Sequence, residues 1–470
     1  MQAESRGSTL QPQHSFSQRL FRGEATLQFW NAAAKGLGLI NSFIVLAVLS
    51  VYQFGLYQLV LAAITIADSF STGLFDDIVS NDLARGIAEG RPGEARRLFN
   101  EFALFKALTG LALGAVLFFG ADAVAAYYGA DIGVFVRIAS FLAVLNALRA
   151  VLEAFFVATV ALSGMAVETV QEAAKLAILG SFLALGPFGI REALLAAVGA
   201  ATIAFLFAVL FFLRRYQTFF RGVASVRESM LRRAAASYGW LIYIRYGFAK
   251  AYKGITPWLI RLLLNTEAVA LYVLALNLIT LAQSIFPVAM LGRLMPWEAK
   301  DPARFRYILA RSVKYVLWGG ALLGIVLFFV APPLTGLILP KYLPAMPVFK
   351  LFLVTLPLYG IYKIHKSALT VLREQGILTT RLVTEALGVT LLYFILIPLF
   401  GLPGAASAVV LAYAWRVWLL AGGLRRTHPE LTIKIASLFR FDADDLSVLR
   451  KVAREAILPF RRLFASGSVL

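Results

Sequence analysis

Three cations interrupt the middle of one apolar stretch. In Ser237–Leu264, SYGWLIYIRYGFAKAYKGITPWLIRLLL, Arg245, Lys250 and Lys253 stand among Tyr, Trp, Phe and Ile. The stretch has the length of a membrane-crossing helix, which needs about 20 mostly apolar residues. A cation at the centre of such a helix costs about 2.5–3.5 kcal/mol on insertion scales. At 100° per residue, Lys253 falls about 80° and Lys250 about 140° around the axis from Arg245, so the three share one broad face. That face is expected to line protein or water, not lipid. The chemistry open to it is the holding of anions, because ammonium and guanidinium groups donate charge-assisted hydrogen bonds to phosphates and carboxylates. Gly254 and Pro257 follow the charges and predict a bend just beyond them.

Other apolar segments carry ionisable residues too. Lys35 and Asp68 lie in the first and second, and Arg149 and Glu153 stand four apart on one face of the fourth. Lys363, His365 and Lys366 lie in the tenth, and Arg416 near the middle of the twelfth. Cations outnumber acids in these segments. A water-filled cavity visited by an anion would compensate them, and a diphosphate, compact and multiply charged, fits; an acidic sugar would fit as well. Lys35, Arg149, Arg245, Lys250, Lys253, Lys363, Lys366 and Arg416 therefore form the candidate substrate-binding set. Asp68 and Glu153 are candidates for ion coupling or gating, or else fixed partners of Lys35 and Arg149. For every one of these residues a snorkelling side chain or a helix–helix ion pair is the competing explanation. It is the expected one for Lys106, Arg137, Lys175 and Arg261, near span ends. Tyr243, Tyr246 and Tyr252 could contact sugars, but packing at the interface is their expected role.

The elements that position these residues recur. Without gaps, LYQLVLAAITIADSF (Leu56–Phe70) lies over LYVLALNLITLAQSI (Leu271–Ile285), 215 positions on, with eight of 15 residues identical. The same offset puts Lys35 on Lys250, and Arg149 and Lys363 are 214 apart. Two homologous halves follow, each with a cation in its first and fourth helices. The bend at Gly254–Pro257 then has its counterpart near Gly36 and Gly38.

With 470 residues, 60% of them hydrophobic and only 15% charged, against about 25% charged in soluble domains, the chain is an all-α polytopic membrane protein. Twelve spans are expected, near 28–50, 54–78, 99–120, 133–160, 166–186, 192–213, 237–262, 268–291, 307–331, 346–370, 379–399 and 404–424. The net charge of +19 could point to nucleic acid, but the cations crowd alternate loops. Arg19 and Arg22, Arg85 to Arg97, Arg214 to Arg233, Arg293 to Arg306 and a tail from Arg425 mark one side, which the positive-inside rule makes cytoplasmic. Both termini then lie there, and two six-helix halves in parallel orientation surround a central cationic cavity. The expected parts are residues 1–213, a basic linker over 214–236, residues 237–424, and a basic tail over 425–470. Within that tail, Asp442–Phe464 reads as an amphipathic helix suited to anionic lipid. There is no cysteine, and His14, His365 and His428 are far apart, so neither thiolate chemistry nor a histidine metal cluster is expected, and no cofactor. Residues 1–27 show no signal-peptide pattern. The short outer loops leave no room for a catalytic domain; Asp76–Asp77 and Asp444–Asp445 are the only adjacent acid pairs outside the spans' interiors.

Twelve spans in two parallel halves with a cationic interior resemble the multidrug/oligosaccharidyl-lipid/polysaccharide (MOP) exporter superfamily. The opening run QFWNAAAKGLGLINSFIVLAVLSVYQFGLYQLVLAAITIADSFSTGL is similar to its polysaccharide-transporter (Wzx-type) branch. It has a long first helix, a turn at Phe54, Gly55, Leu56 and Tyr57, and a second helix ending near Gly73. The resemblance implies a flippase that moves an undecaprenyl-diphosphate-linked oligosaccharide between leaflets of a bacterial inner membrane, coupled to an ion gradient. Its partners would be that lipid, membrane lipids, and a polysaccharide polymerase and chain-length regulator. A cation-coupled multidrug exporter of the same superfamily is the alternative, though that branch usually has an acid in its first helix, where this chain has Lys35 and no acid between Phe29 and Ser50. A membrane-embedded glycosyltransferase or polymerase is a third reading.

Overall fold

A computed structural model describes residues 16–72, 75–128, 132–159, 162–224, 226–233, 240–284, 301–372, 374–443 and 445. The apolar runs become helices because a backbone in lipid must satisfy its own N–H and C=O groups. In order they are α1 (Phe16–Val48), α2 (Val51–Thr72), α3 (Phe75–Ala88), α4 (Pro92–Tyr128), α5 (Ile132–Ala158), α6 (Leu162–Leu185) and α7 (Ile190–Phe220). Next come α8 (Trp240–Leu263), α9 (Thr266–Ser284), α10 (Pro302–Ile338), α11 (Met346–Leu353), α12 (Thr355–Val371), α13 (Gln375–Phe400), α14 (Leu402–Thr427) and the short α15 (Ile435–Phe439).

Among the described residues, nine helices are long and apolar enough to cross a membrane, and one bent pair makes a tenth. The two remaining expected spans are also helices. They are α6, with Glu168, Glu172 and Lys175, and α8, with Arg245, Lys250, Lys253 and Arg261, so charge rather than length sets them apart. The bent pair is the expected span 346–370, where α11 and α12 meet at 43°. Pro357 explains the break: its ring excludes the helical hydrogen bond to the carbonyl of Leu353. The second expected span, 54–78, ends at Thr72, and α3 is a separate helix.

The repeat read from sequence reappears in the helix ends. α1 ends at Val48 and α8 at Leu263, while α2 begins at Val51 and α9 at Thr266, both pairs 215 positions apart.

The chain packs as two compact units. The first comprises Met1–Ala275, Leu334–Val348 and Thr390–Ala405; the second comprises Leu276–Pro333, Phe349–Val389 and Ala406–Leu470. In the first, α4 runs along α5, which also packs on α2 and α7. Small residues permit that approach, as membrane helices without a hydrophobic drive between them require. A Cβ on Gly110 would stand 2.6 Å from the Ala147 methyl, and one on Gly114 2.6 Å from a Val144 methyl. An aromatic core gathers Phe99, Phe155, Phe212 and Tyr216 with ring centroids 5.1–6.3 Å apart. Lys106, fully buried on α4, is satisfied by Asp76 at 2.6 Å and by the Ser71 carbonyl at 2.6 Å.

In the second unit, α10, α12, α13 and α14 share a core that includes Leu309, Val316, Ile364, Leu378 and Leu420. The chain beyond α14 returns to α10. Asp445 meets Lys314 at 2.6 Å and the Tyr315 hydroxyl at 2.8 Å, Asp442 meets Arg311 at 2.7 Å, and Trp318 donates to the Leu438 carbonyl at 2.9 Å. The start of the tail is therefore docked on protein through its acids; the rest of the expected amphipathic helix, 446–464, lies outside the described residues.

Candidate substrate-binding site

In the first unit a polar layer crosses four spans. On α5, Asn146 donates to Asp68 of α2 at 2.9 Å. One turn on, Arg149 binds Glu153 at 2.9 Å and also the side-chain oxygen of Gln171 on α6. The next residue of α6, Glu172, accepts from Asn41 of α1 at its carboxylate (2.7 Å) and at its carbonyl (2.9 Å). Asn41 is fully buried and Asp68 nearly so, whereas half of the Glu153 side chain is exposed. Four helices are thus tied together by side chains that lipid could not solvate. Arg149 and Glu153 form the pair their spacing predicts, and Arg149 remains partly accessible.

Lys35 lies exposed on α1, one turn before Gly38, whose Cβ position is 3.6 Å from the Glu172 carboxyl group. Gly36 has open space around it. Lys253 lies exposed on α8. The side chains of Arg245 and Lys250 lie outside the described residues, though both belong to the continuous helix α8, which carries Pro257 inside it. Gly254 is buried where α8 crosses α2: a Cβ there would be 2.7 Å from Ile66 and 2.8 Å from the Ala62 carbonyl. Gly55 of α2 abuts the Thr266 backbone, so the two helices run antiparallel. Residue 250, one turn before Gly254, therefore comes to the level of α2 just beyond Ile66, the level of Asp68.

In the second unit a tighter cluster joins α12, α13 and α14. Glu385 on α13 accepts from Arg381, one turn earlier, at 2.9 Å through Oε2, and from Arg416 of α14 through Oε1. Arg381 also donates to the Tyr362 hydroxyl at 3.2 Å. The guanidinium of Arg416 lies 4.2 Å from the centre of the Tyr413 ring and 5.5 Å from that of Tyr362. Planar guanidiniums on aromatic faces keep their charge while losing water, which favours exchange of one anionic partner for another. Lys363 lies half-buried with its ammonium 5.4 Å from the Tyr359 ring centre, and Lys366, also half-buried, lies three residues on.

Arg416 and Lys363 are thus in one neighbourhood, as their spans allow. Sequence reasoning missed Arg381, Glu385, Tyr362 and Tyr413 here, and Asn41, Asn146, Gln171 and Glu172 in the first unit. A signal existed for Arg381 and Glu385, four apart inside an apolar run, the same pattern that drew attention to Arg149 and Glu153. Asp76, one of the acids weighed for catalysis, is engaged with Lys106.

The sequence model of a family described as "Polysaccharide biosynthesis protein" matches residues 21–300. No sequence match is found among curated proteins. Solved structures share the fold. An inward-facing multidrug resistance MATE family transporter of the MOP superfamily superposes with TM-score 0.66 at 13% identity, covering 83% of this chain and 95% of that one. The lipid II flippase MurJ, in an inward closed conformation, superposes with TM-score 0.60 at 14% identity, covering 91% and 92%. A MOP superfamily transporter from Pyrococcus furiosus, in which reversed polarity of the binding pocket is said to suggest a different function, gives TM-score 0.53 at 13% identity over 89% and 94%.

Proposed function

Because this chain belongs to the polysaccharide biosynthesis protein family, within the fold of the MOP superfamily transporters, we propose that it is a flippase for an undecaprenyl-diphosphate-linked oligosaccharide. It carries the repeat unit from the cytoplasmic to the periplasmic leaflet of a bacterial inner membrane for assembly of O-antigen, capsule or exopolysaccharide. It is a transporter, not an enzyme. Both termini are cytoplasmic, and a polymerase and a chain-length regulator act on the delivered unit.

The observation that carries this reading is the cationic character of the spans. Arg149 in the first unit, and Arg381 and Arg416 in the second, are held inside them by ion pairs, and Lys363 and Lys366 lie in the span next to the latter two. Such groups suit a diphosphate headgroup and repel a cationic drug. The two sequence halves, 1–213 and 237–424 with the linker 214–236, rock in alternating access. The glycan head crosses within the protein while the polyprenyl tail stays in lipid, so a lateral opening between helices is required. Likeness to a lipid II flippase supports the lipid-linked class of substrate.

The test is reconstitution of the full chain into vesicles carrying a fluorescent short-chain polyprenyl-diphosphate oligosaccharide. Protein-dependent loss of quencher access to the label supports the reading. Efflux of cationic dyes with no movement of the lipid would replace it by the multidrug alternative.

A further inference from the structure

The Arg381–Glu385–Arg416 cluster has more donors than its carboxylate can use. Among the described residues, the buried Nε–H groups of both Arg381 and Arg416 find no acceptor. Three charged groups converge there, two positive and one negative. The neighbours from α12 and α14 are the uncharged rings of Tyr362 and Tyr413, with the Lys363 ammonium beyond, over Tyr359. Arg381 and Glu385 each keep 8% of their side-chain surface exposed, while Arg416 keeps 17%, so Arg416 is the most accessible of the three. A carboxylate offers two oxygens. A phosphoryl group offers three or four in a geometry that guanidinium forks match.

We propose that Glu385 is a resident counter-anion. It occupies the arginine pair while the site is empty and is displaced, first from Arg416, by a phosphoryl group of the incoming ligand. Glu385 then stays with Arg381, its neighbour one helical turn away, so no charge is left without a partner. On release it returns to Arg416 and helps to expel the anion. A site built this way binds its ligand less tightly than two free arginines would, and turns over faster. The inference rests on the flippase reading for the source of the phosphate, but not for the exchange itself.

Binding is measured by calorimetry on the full-length protein in nanodiscs, with inorganic diphosphate and with geranylgeranyl diphosphate as probes. Glu385→Gln, which removes the competing charge and keeps the shape, should tighten binding of both probes by about tenfold, the scale of one competing charge-assisted contact. Arg416→Gln should weaken it by a similar factor, and in the Arg416→Gln background Glu385→Gln should no longer tighten binding. In the flipping assay Glu385→Gln should lower KM and kcat together. A Glu385→Gln protein with unchanged or weaker affinity overturns the exchange, as does failure of both probes to bind the unmodified chain. Should Glu385→Gln not fold, Glu385→Asp, whose shorter arm reaches Arg416 poorly, is read by the same criterion. Tighter binding in Glu385→Gln together with no lipid flipping by the unmodified chain would keep the exchange and overturn the flippase reading.

Discussion

Lys314 and Asp445 form an ion pair at 2.6 Å with the carboxylate fully buried, fastening the chain after the last span to α10. Burial by itself would raise the Asp445 carboxyl. The Lys314 ammonium, the Asp442 backbone N–H and the Tyr315 hydroxyl outweigh it and hold the group below the usual carboxylate range. A depressed folded value means that the stabilisation is present above the ordinary carboxylate pKa of about 4 and is lost as pH falls through the folded value. Hydrogen exchange of residues 435–443 should therefore stay slow from neutral pH down to about pH 4 and speed up below it. Lys314→Met leaves the buried carboxylate with Arg311, at 3.7 Å, as its remaining cationic partner and should weaken docking by about 2 kcal/mol at neutral pH. Equal exchange in both proteins would contradict this.

Gly254 and Gly36, hinge candidates in the corresponding first helices of the two halves, differ in their surroundings. Gly254→Ala forces a methyl group against Ile66 and the Ala62 carbonyl, and should cost about 1–3 kcal/mol through overpacking of α8 on α2. Gly36→Ala meets nothing within 4 Å and should leave stability equal or up to about 1 kcal/mol higher. Thermal unfolding in detergent reads both. If Gly36 is a hinge, its variant slows flipping without loss of stability.

Asp68 and Glu153 separate as coupling candidates. Glu153 is half-exposed and paired with Arg149, the arrangement of a fixed partner, whereas Asp68 is buried at the α2–α5 contact beside Asn146. Asp68→Asn should abolish the response of flipping to an imposed proton or sodium gradient while residual downhill flipping persists; Glu153→Gln should keep the response. If both variants respond like the unmodified protein, coupling resides elsewhere.

How much was legible follows from which signals are local. Apolar runs marked every span, and a 215-residue offset marked the paired ends of α1 and α8, because length and hydropathy are properties of a single segment. Lys35, Arg149, Lys253 and Arg416 stood out as cations against an apolar background. Arg381 and Glu385 carried the same four-residue spacing as Arg149 and Glu153 but did not stand out, because Arg381 lies near the start of its expected span. Asn41, Asn146 and Gln171 carry no charge, and their role appears only once four helices are brought together. The docking of Asp445 was illegible for the same reason. In sequence it belongs to an amphipathic basic tail, and only tertiary packing sets Lys314 opposite it. Nor does hydropathy register the break between α11 and α12, where Pro357 alone carried a local signal.

The central claim is that cations in the spans hold the diphosphate of a lipid-linked glycan during its transfer. Lys250 and Lys35, equivalent in the repeat, test it most directly. Flipping of a fluorescent polyprenyl-diphosphate oligosaccharide is measured in vesicles containing the unmodified chain, Lys250→Arg, Lys250→Ala or Lys35→Ala at equal protein content. Lys250→Arg should retain much of the rate, because charge matters more there than side-chain shape, and each alanine variant should lose most of it. Alanine variants that flip the lipid at the unmodified rate would contradict the account and leave both lysines as structural groups.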